Sequence, residues 1–229
     1  MAIRRQAHTI INAERYSGRR GTMEVRNETP TSRPGGAWFR RPTGLRSRLA
    51  GLVLAAVDEA MNELAAELID PRPHDAVLEI GFGPGRLIER LAQAGDAELV
   101  AGVDPSPAML GQATKRNWRW IARGRVRLLQ AGVSRLPFPD GSFTRACAVN
   151  TFPSWPSPLQ DLREVRRVLR LGGRLVLCLR VRDPRRRLLA VPGMTEAEIE
   201  TVPRLLEEAG FRDLHIERRS VGMALIAHR

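Results

Sequence analysis

Apolar and polar positions follow two rhythms along the chain. From Leu49 to Ile69 the apolar residues Val53, Val57, Met61, Leu64 and Leu68 recur every three or four positions, while Asp58, Glu59, Asn62, Glu63 and Glu67 take the other side. This predicts one long amphipathic helix. Asp70-Pro71-Arg72-Pro73 stops it, because a residue before proline is pushed out of helical geometry. Beyond Pro73, short apolar runs alternate with helix-length segments. Ala76–Ile80, Glu98–Val103, Val126–Gln130, Arg145–Val149 and Arg174–Val181 predict strands. Gly85–Ala94, Pro107–Ala122, Pro158–Leu171 and Thr195–Ala209 predict helices. Strands apolar on both faces and separated by helices belong to a parallel sheet in an α/β domain. The last two runs, Leu214–Arg218 and Met223–His228, are joined only by Arg219 to Gly222. No crossover helix fits there, so the sheet is expected to finish in an antiparallel hairpin. Gly172-Gly173 is expected to end one helix and start a strand.

Residues 1–37 mix Arg, Ser, Thr, Pro and Gly without a sustained period, and predict a disordered basic tail, or a start codon assigned upstream of a true start at Met23. Residues 38–70 are then expected to be a helical segment over the active site, and 71–229 the catalytic domain. A length of 229 residues allows one such domain, and 43% hydrophobic residues are enough for its core.

Charge changes this picture less than its total suggests. The chain carries +12, and Lys115 is its one lysine among 37 basic residues. Residues 1–48 hold eleven arginines against three glutamates, a net +8. The excess therefore sits mostly in the tail. It fits either a nucleic-acid partner or a chain-wide preference for arginine. Cys147 and Cys178 lie in apolar runs and read as buried free thiols of a cytoplasmic protein. The four histidines are not paired at ligand spacing with each other or with cysteine, so no metal is proposed. The longest apolar stretch, Leu49 to Val57, is nine residues, against about 20 for a membrane span.

The chemistry concentrates in Val77-Leu78-Glu79-Ile80-Gly81-Phe82-Gly83-Pro84-Gly85-Arg86, a strand running through a glycine turn into a helix. Such a turn lets a ligand approach the backbone, and the helix start offers free N–H groups. The spacing departs from the dinucleotide fingerprint, since Arg86 stands where its third glycine would, and no Gly-Lys-Ser/Thr follows to make a P-loop. Twenty-five residues after Glu79, Asp104 closes the second strand. A carboxylate there accepts hydrogen bonds from a ribose diol, or merely caps the helix that begins near Pro107.

With these residues in order, the chain from about Phe39 onward resembles the class I S-adenosylmethionine-dependent methyltransferases of the single-domain, small-molecule type. The resemblance rests on Val77 to Gly85, Gly102 to Met109, Leu136 to Phe143, Val149-Asn150 with Trp155, and Leu162 to Leu169 leading to Gly172-Gly173. It implies a Rossmann-like, mostly parallel sheet of seven strands with helices on both faces, and S-adenosylmethionine across the ends of the first, second and fourth strands. It places Glu79, Gly81, Phe82, Gly83 and Gly85 at the methionine part and Asp104 on the ribose. Pro105, Ser106 and Met109 fall near the adenine, Gly132 and Val133 at its edge, and Asn150 near the sulfonium. Phe152, Ser154 and Trp155 become acceptor contacts, with packing under a loop the alternative for the two aromatics.

Three positions depart from the family pattern. Gly132 stands where an Asp usually accepts from the adenine amine, Thr144 where an Asp follows the Phe, and Leu171 where a Pro precedes the glycines. The sulfonium methyl is already electrophilic, so a dedicated base is optional, and His74 and His215 read as surface or core residues. The expected reaction is in-line methyl transfer to a small molecule. The alternatives are a nucleic-acid methyltransferase, supported by the tail, by Arg185-Arg186-Arg187 and by Lys115 to Trp120, and a non-catalytic binding member of the fold. Asn150-Thr151-Phe152-Pro153 lacks the second proline usual in enzymes that methylate exocyclic base amines.

Overall fold

A computed structural model describes residues 58–182 and 193–229. The tail, the first part of the segment 38–70, and Arg185-Arg186-Arg187 lie outside them. The elements run α1 (58–69), β1 (Ala76–Ile80), α2 (Arg86–Ala94), β2 (Leu99–Asp104), α3 (Pro107–Ala122), β3 (Val126–Gln130), β4 (Phe143–Val149), α4 (Pro158–Val168), β5 (Leu169–Leu179), α5 (Glu196–Ile199), α6 (Val202–Glu208), β6 (Arg212–Arg219) and β7 (Gly222–His228). One sheet holds all seven strands in the order β3-β2-β1-β4-β5-β7-β6. The first five run parallel, and β7 enters antiparallel between β5 and β6, as the four-residue gap requires.

Strand periodicity divides the core into two faces. Leu78, Ile80, Ala146, Leu175 and Leu177 pack with Leu162, Val165, Val202 and Leu206 of α4 and α6. Val77, Val100, Cys147, Val176 and Cys178 pack on the other side with Met61, Leu64, Leu87, Ile88, Leu91 and Ala113 of α1, α2 and α3. Both cysteines are buried there, and burial pushes the Cys178 thiol up to about 12. Among the described residues no helix is long and apolar enough to cross a membrane.

Two expectations need correction. Helix α4 ends at Val168, and the glycine pair lies inside β5 instead of stopping a helix. The register with β4 jumps from Phe143↔Leu169 to Arg145↔Arg174, and Gly172, at φ 73°, carries the bulge. Its N–H donates to Arg229 O at 3.0 Å, while Arg229 N–H donates to Gly173 O at 2.9 Å. The segment Thr195–Ala209 forms two helices, because Pro203 has no N–H to continue the ladder and is accommodated only in the first turn of α6.

Two arginines tie the described part of α1 to the sheet. Arg174 Nη1 donates to Leu68 O at 3.0 Å, and Arg180 pairs with Asp58 at the other end of the helix. Both arginines belong to one face of the β5 chain, so α1 lies along the sheet. Met61 fills the space that Gly222 leaves: a Cβ there would stand 3.0 Å from its sulfur.

Candidate functional site

The strand order reverses between β1 and β4, and ligands of open α/β sheets bind beyond the carboxyl ends of strands at such a point. The chain leaves β1 through Gly81, whose N–H donates to Val103 O at 2.8 Å and whose φ is 78°. A Cβ on Gly81 would stand 2.4 Å from Thr151 Cγ2, so no side chain fits. Gly85, at φ 76°, starts α2, and a Cβ there would meet Ala113 and the Asn117 amide, each at 2.7 Å. Gly83 differs, with no heavy atom within 4 Å of its Cβ position. Phe82 points away from this opening: its ring occupies the space beside Gly102, so it serves the loop by packing.

Two carboxylates flank the loop. Asp104 Oδ2 accepts from Gly83 N–H and Oδ1 from Ser106 N–H, both at 2.9 Å. The cap of α3 is Ser106, whose Oγ accepts from Met109 N–H at 3.4 Å, so the simple capping role falls to Ser106 and not to Asp104. A carboxylate has about four acceptor sites, and two remain on Asp104. Glu79 is buried one strand away, with Oε2 lacking any hydrogen-bond partner. Burial, and then the nearby Asp104 charge, push its carboxyl up to about 8.

Pro105 is exposed, and Ser106 and Met109 are half-buried, all at the start of α3. Gly132 lies exposed after β3, with open space around its Cβ position, while Val133 is buried in the core. Beyond β4, Asn150 takes the left-handed backbone at φ 57°, a conformation asparagine tolerates. Its Oδ1 accepts from Arg180 N–H at 2.8 Å, and Thr151 Oγ1 donates to Ile80 O at 2.8 Å. Phe152 and Trp155 are buried with ring centroids 5.0 Å apart, and Ser154 Oγ donates to Thr151 O at 2.6 Å within its own turn. His74 is exposed near Glu98, and His215 is exposed on β6. Among the described residues no group of three or more His, Cys, Asp or Glu is placed to hold a metal.

The structure thus gathers Glu79, Gly81 to Gly85, Asp104 to Met109 and Asn150 at one edge of the sheet. Three residues that sequence reasoning passed over hold them. Asn117, fully buried, donates from Nδ2 to Gly85 O and Ala113 O at 3.0 Å each. Thr151 packs on Gly81, and Arg180 anchors Asn150. For Asn117 the signal was its phase, four residues after the small apolar Ala113 on the inner side of α3.

Residues 78–177 match the methyltransferase domain family. The uncharacterised methyltransferase YdaC of Bacillus subtilis is 25% identical over 173 residues, 76% of this chain and 91% of YdaC. The domain match and these relatives support a class I S-adenosylmethionine-dependent methyltransferase. This methyltransferase is also 33% identical over 126 residues to the 27-O-demethylrifamycin SV methyltransferase of Amycolatopsis mediterranei, covering 54% of itself but only 46% of that relative. The same fold is seen in a SAM-dependent methyltransferase from Aquifex aeolicus, with a TM-score of 0.62 at 19% identity over 76% of this chain and 97% of that one.

Proposed function

We propose that residues 71–229 bind S-adenosylmethionine and transfer its methyl group in line to a small molecule held beside the ends of β4 and β5, in the cytoplasm. The observation that carries this reading is the pair of buried carboxylates, Glu79 and Asp104, on either side of a glycine loop that leaves its middle open at Gly83. The residues fit the cofactor. Glu79 Oε2 has no partner within the protein and would receive the cationic methionine ammonium. Asp104 would hold the ribose diol on its two remaining acceptor sites, with Gly81, Phe82, Gly83 and Gly85 presenting backbone to the methionine part. Pro105, Ser106 and Met109 would pack on the adenine, and Gly132 and Val133 would border it. When bound, the cofactor supplies an electrophilic methyl on a sulfonium. Asn150, Phe152, Ser154 and Trp155 would then orient a nucleophile, and positioning alone supplies a large share of such a rate enhancement. The rifamycin-type relative, whose name gives it a small-molecule acceptor, supports the same substrate class.

Calorimetry with S-adenosylmethionine and S-adenosylhomocysteine tests this. Wild type binds both, and Asp104→Ala weakens both by roughly 100-fold or more, since hydrogen bonds to a charged group contribute about 1.5–3 kcal/mol each. Absence of binding by wild type, or an unchanged affinity in the variant, overturns the reading. A nucleic-acid acceptor is the second reading, favoured by one observation. From Pro105 to Pro139 there is no acidic residue but seven cations, and Trp118 on α3 is 59% exposed with Arg119 5.5 Å from its ring. RNA affinity falling steeply with salt would revive it.

A further inference from the structure

The end of the sheet opposite the glycine loop carries a row of basic residues. Strand pairing sets Arg145 of β4 beside Arg174 of β5, Arg174 beside His228 of β7, and His228 beside Arg212 of β6. Residues directly opposite one another share a face, so these four side chains stand side by side across four strands. Neighbouring strands lie about 4.8 Å apart, and the row therefore runs roughly 14 Å.

Like charges set directly opposite one another destabilise a sheet, and the protein offsets them only in part. The Arg145 side chain is 14% exposed and pairs with Asp75 at 3.4 Å. Arg174 Nη1 donates to Leu68 O, which supplies a dipole and not a charge. Arg145 Nε, Arg174 Nε and His228 Nδ1 are all buried without a hydrogen-bond partner. The charges that act on Arg145 are Asp75, Arg174, Arg72 and Asp70, so three arginines share two aspartates. Burial, opposed by Asp75 and joined by the Arg174 charge, holds the Arg145 guanidinium below its ordinary pKa. Arg212, at the far end of the row, is exposed and makes no ion pair among the described residues.

We propose that this row is a second ligand site, separate from the edge that carries the glycine loop, and that it takes a small molecule bearing a chain of linked phosphates. Phosphate oxygens match the N–H fork of arginine. A single phosphate would meet neighbouring members of the row, whereas a linked chain meets all of them. The site goes beyond the methyltransferase reading and does not rest on it.

The probe is tripolyphosphate, titrated by calorimetry into the full chain at fixed ionic strength without divalent cations, beside orthophosphate. Wild type binds tripolyphosphate about tenfold or more tightly than orthophosphate. Arg174→Met lowers the tripolyphosphate affinity about tenfold or more, as loss of charge-assisted hydrogen bonds should, while S-adenosylhomocysteine affinity stays within about threefold. The double variant Lys115→Met/Arg119→Met removes exposed cations of α3 and controls for the overall positive charge. Its tripolyphosphate affinity stays within about threefold of wild type. ATP, added with S-adenosylhomocysteine at saturation, separates two sources of the same chemistry. Affinity equal to or below that of tripolyphosphate assigns a free phosphate chain, tighter binding assigns a nucleotide, and both support the site. Absence of tripolyphosphate binding by wild type overturns the proposal, as does a loss in the α3 control as large as that in Arg174→Met. If Arg174→Met loses its cooperative melt, Arg212→Met decides: a severalfold loss supports the row, and an unchanged affinity overturns it. Failure of S-adenosylhomocysteine to bind would count against the methyltransferase reading and leave the tripolyphosphate comparison intact.

Discussion

The two halves of the sheet's ligand edge are built by different means. Over β1 and β2 the groups are backbone amides of a loop with three glycines at positive φ, tied to Asp104, which accepts from Gly83 N–H. Over β4 and β5 side chains hold one another: Asn150 accepts from Arg180, Thr151 donates to Ile80, and Phe152 packs on Trp155. The first half depends on missing Cβ atoms, and a missing atom has no substitute. The second depends on pairs, each of which another pair of similar shape could replace.

Within the first half, Gly85 and Gly83 should separate sharply. Gly85→Ala forces a left-handed alanine against Ala113 and Asn117 at 2.7 Å. Strain of about 1–2 kcal/mol and overpacking of about 1–3 kcal/mol together lower stability by roughly 2–5 kcal/mol in denaturant unfolding. Gly83→Ala meets no neighbour and bears only the strain, about 1–2 kcal/mol. Its methyl projects into the open side of the loop, so its S-adenosylhomocysteine affinity falls tenfold or more. Equal stability losses in the two variants would erase the distinction between closed and open positions of the loop.

A second contrast is in proton binding. Glu79 is pushed up to about 8 from an ordinary 4.5. The free fold therefore binds a proton that the unfolded chain releases, and the stability this gives is complete below pH 4.5 and lost as pH rises through about 8. Glu79→Gln should flatten the stability profile across that window and make the free protein the more stable one at pH 9. The ligand ammonium needs the ionised carboxylate, so S-adenosylhomocysteine affinity rises up to tenfold per pH unit toward 8 in wild type and loses this slope in Glu79→Gln. Calorimetry in buffers of different ionisation enthalpy reads the released proton directly. A wild-type affinity independent of pH between 6 and 8 would place the proton elsewhere.

The same division governed what could be read from the sequence. Gly81, Gly83, Gly85 and Asp104 stood out because few residue types satisfy a sharp strand-to-helix turn, and the closing hairpin followed from a gap too short for any other connection. Gly172-Gly173 misled, because a helix stop and a β-bulge both draw on left-handed glycine. Pro203 falls within the segment expected as one helix, Thr195–Ala209, and stands instead in the first turn of a second. Arg180 was one arginine among many, and Asn150 and Asp58, which it meets, lie 30 and 122 residues away. The +12 charge falls mostly in residues 1–48, and Glu79, Gly81, Gly83, Gly85 and Asp104 contribute no positive charge to it.

The smallest expected effect lies at the border of the backbone half, where a side chain is absent and nothing has taken its space. Gly132 is exposed, lacks a left-handed φ, and has no heavy atom within 4 Å of its Cβ position. The family's usual aspartate therefore fits without strain. Gly132→Asp should add one partly exposed hydrogen bond to the adenine amine, about 0.5–1.5 kcal/mol, or up to about tenfold in S-adenosylhomocysteine affinity. The analogue with hypoxanthine in place of adenine carries no exocyclic amine and should gain nothing from the substitution. If both ligands gain equally, the added charge acts through the field of the site rather than through the adenine amine. If neither gains, the base lies away from Gly132, and the edge of the cofactor site would have to be redrawn toward Met109 on α3.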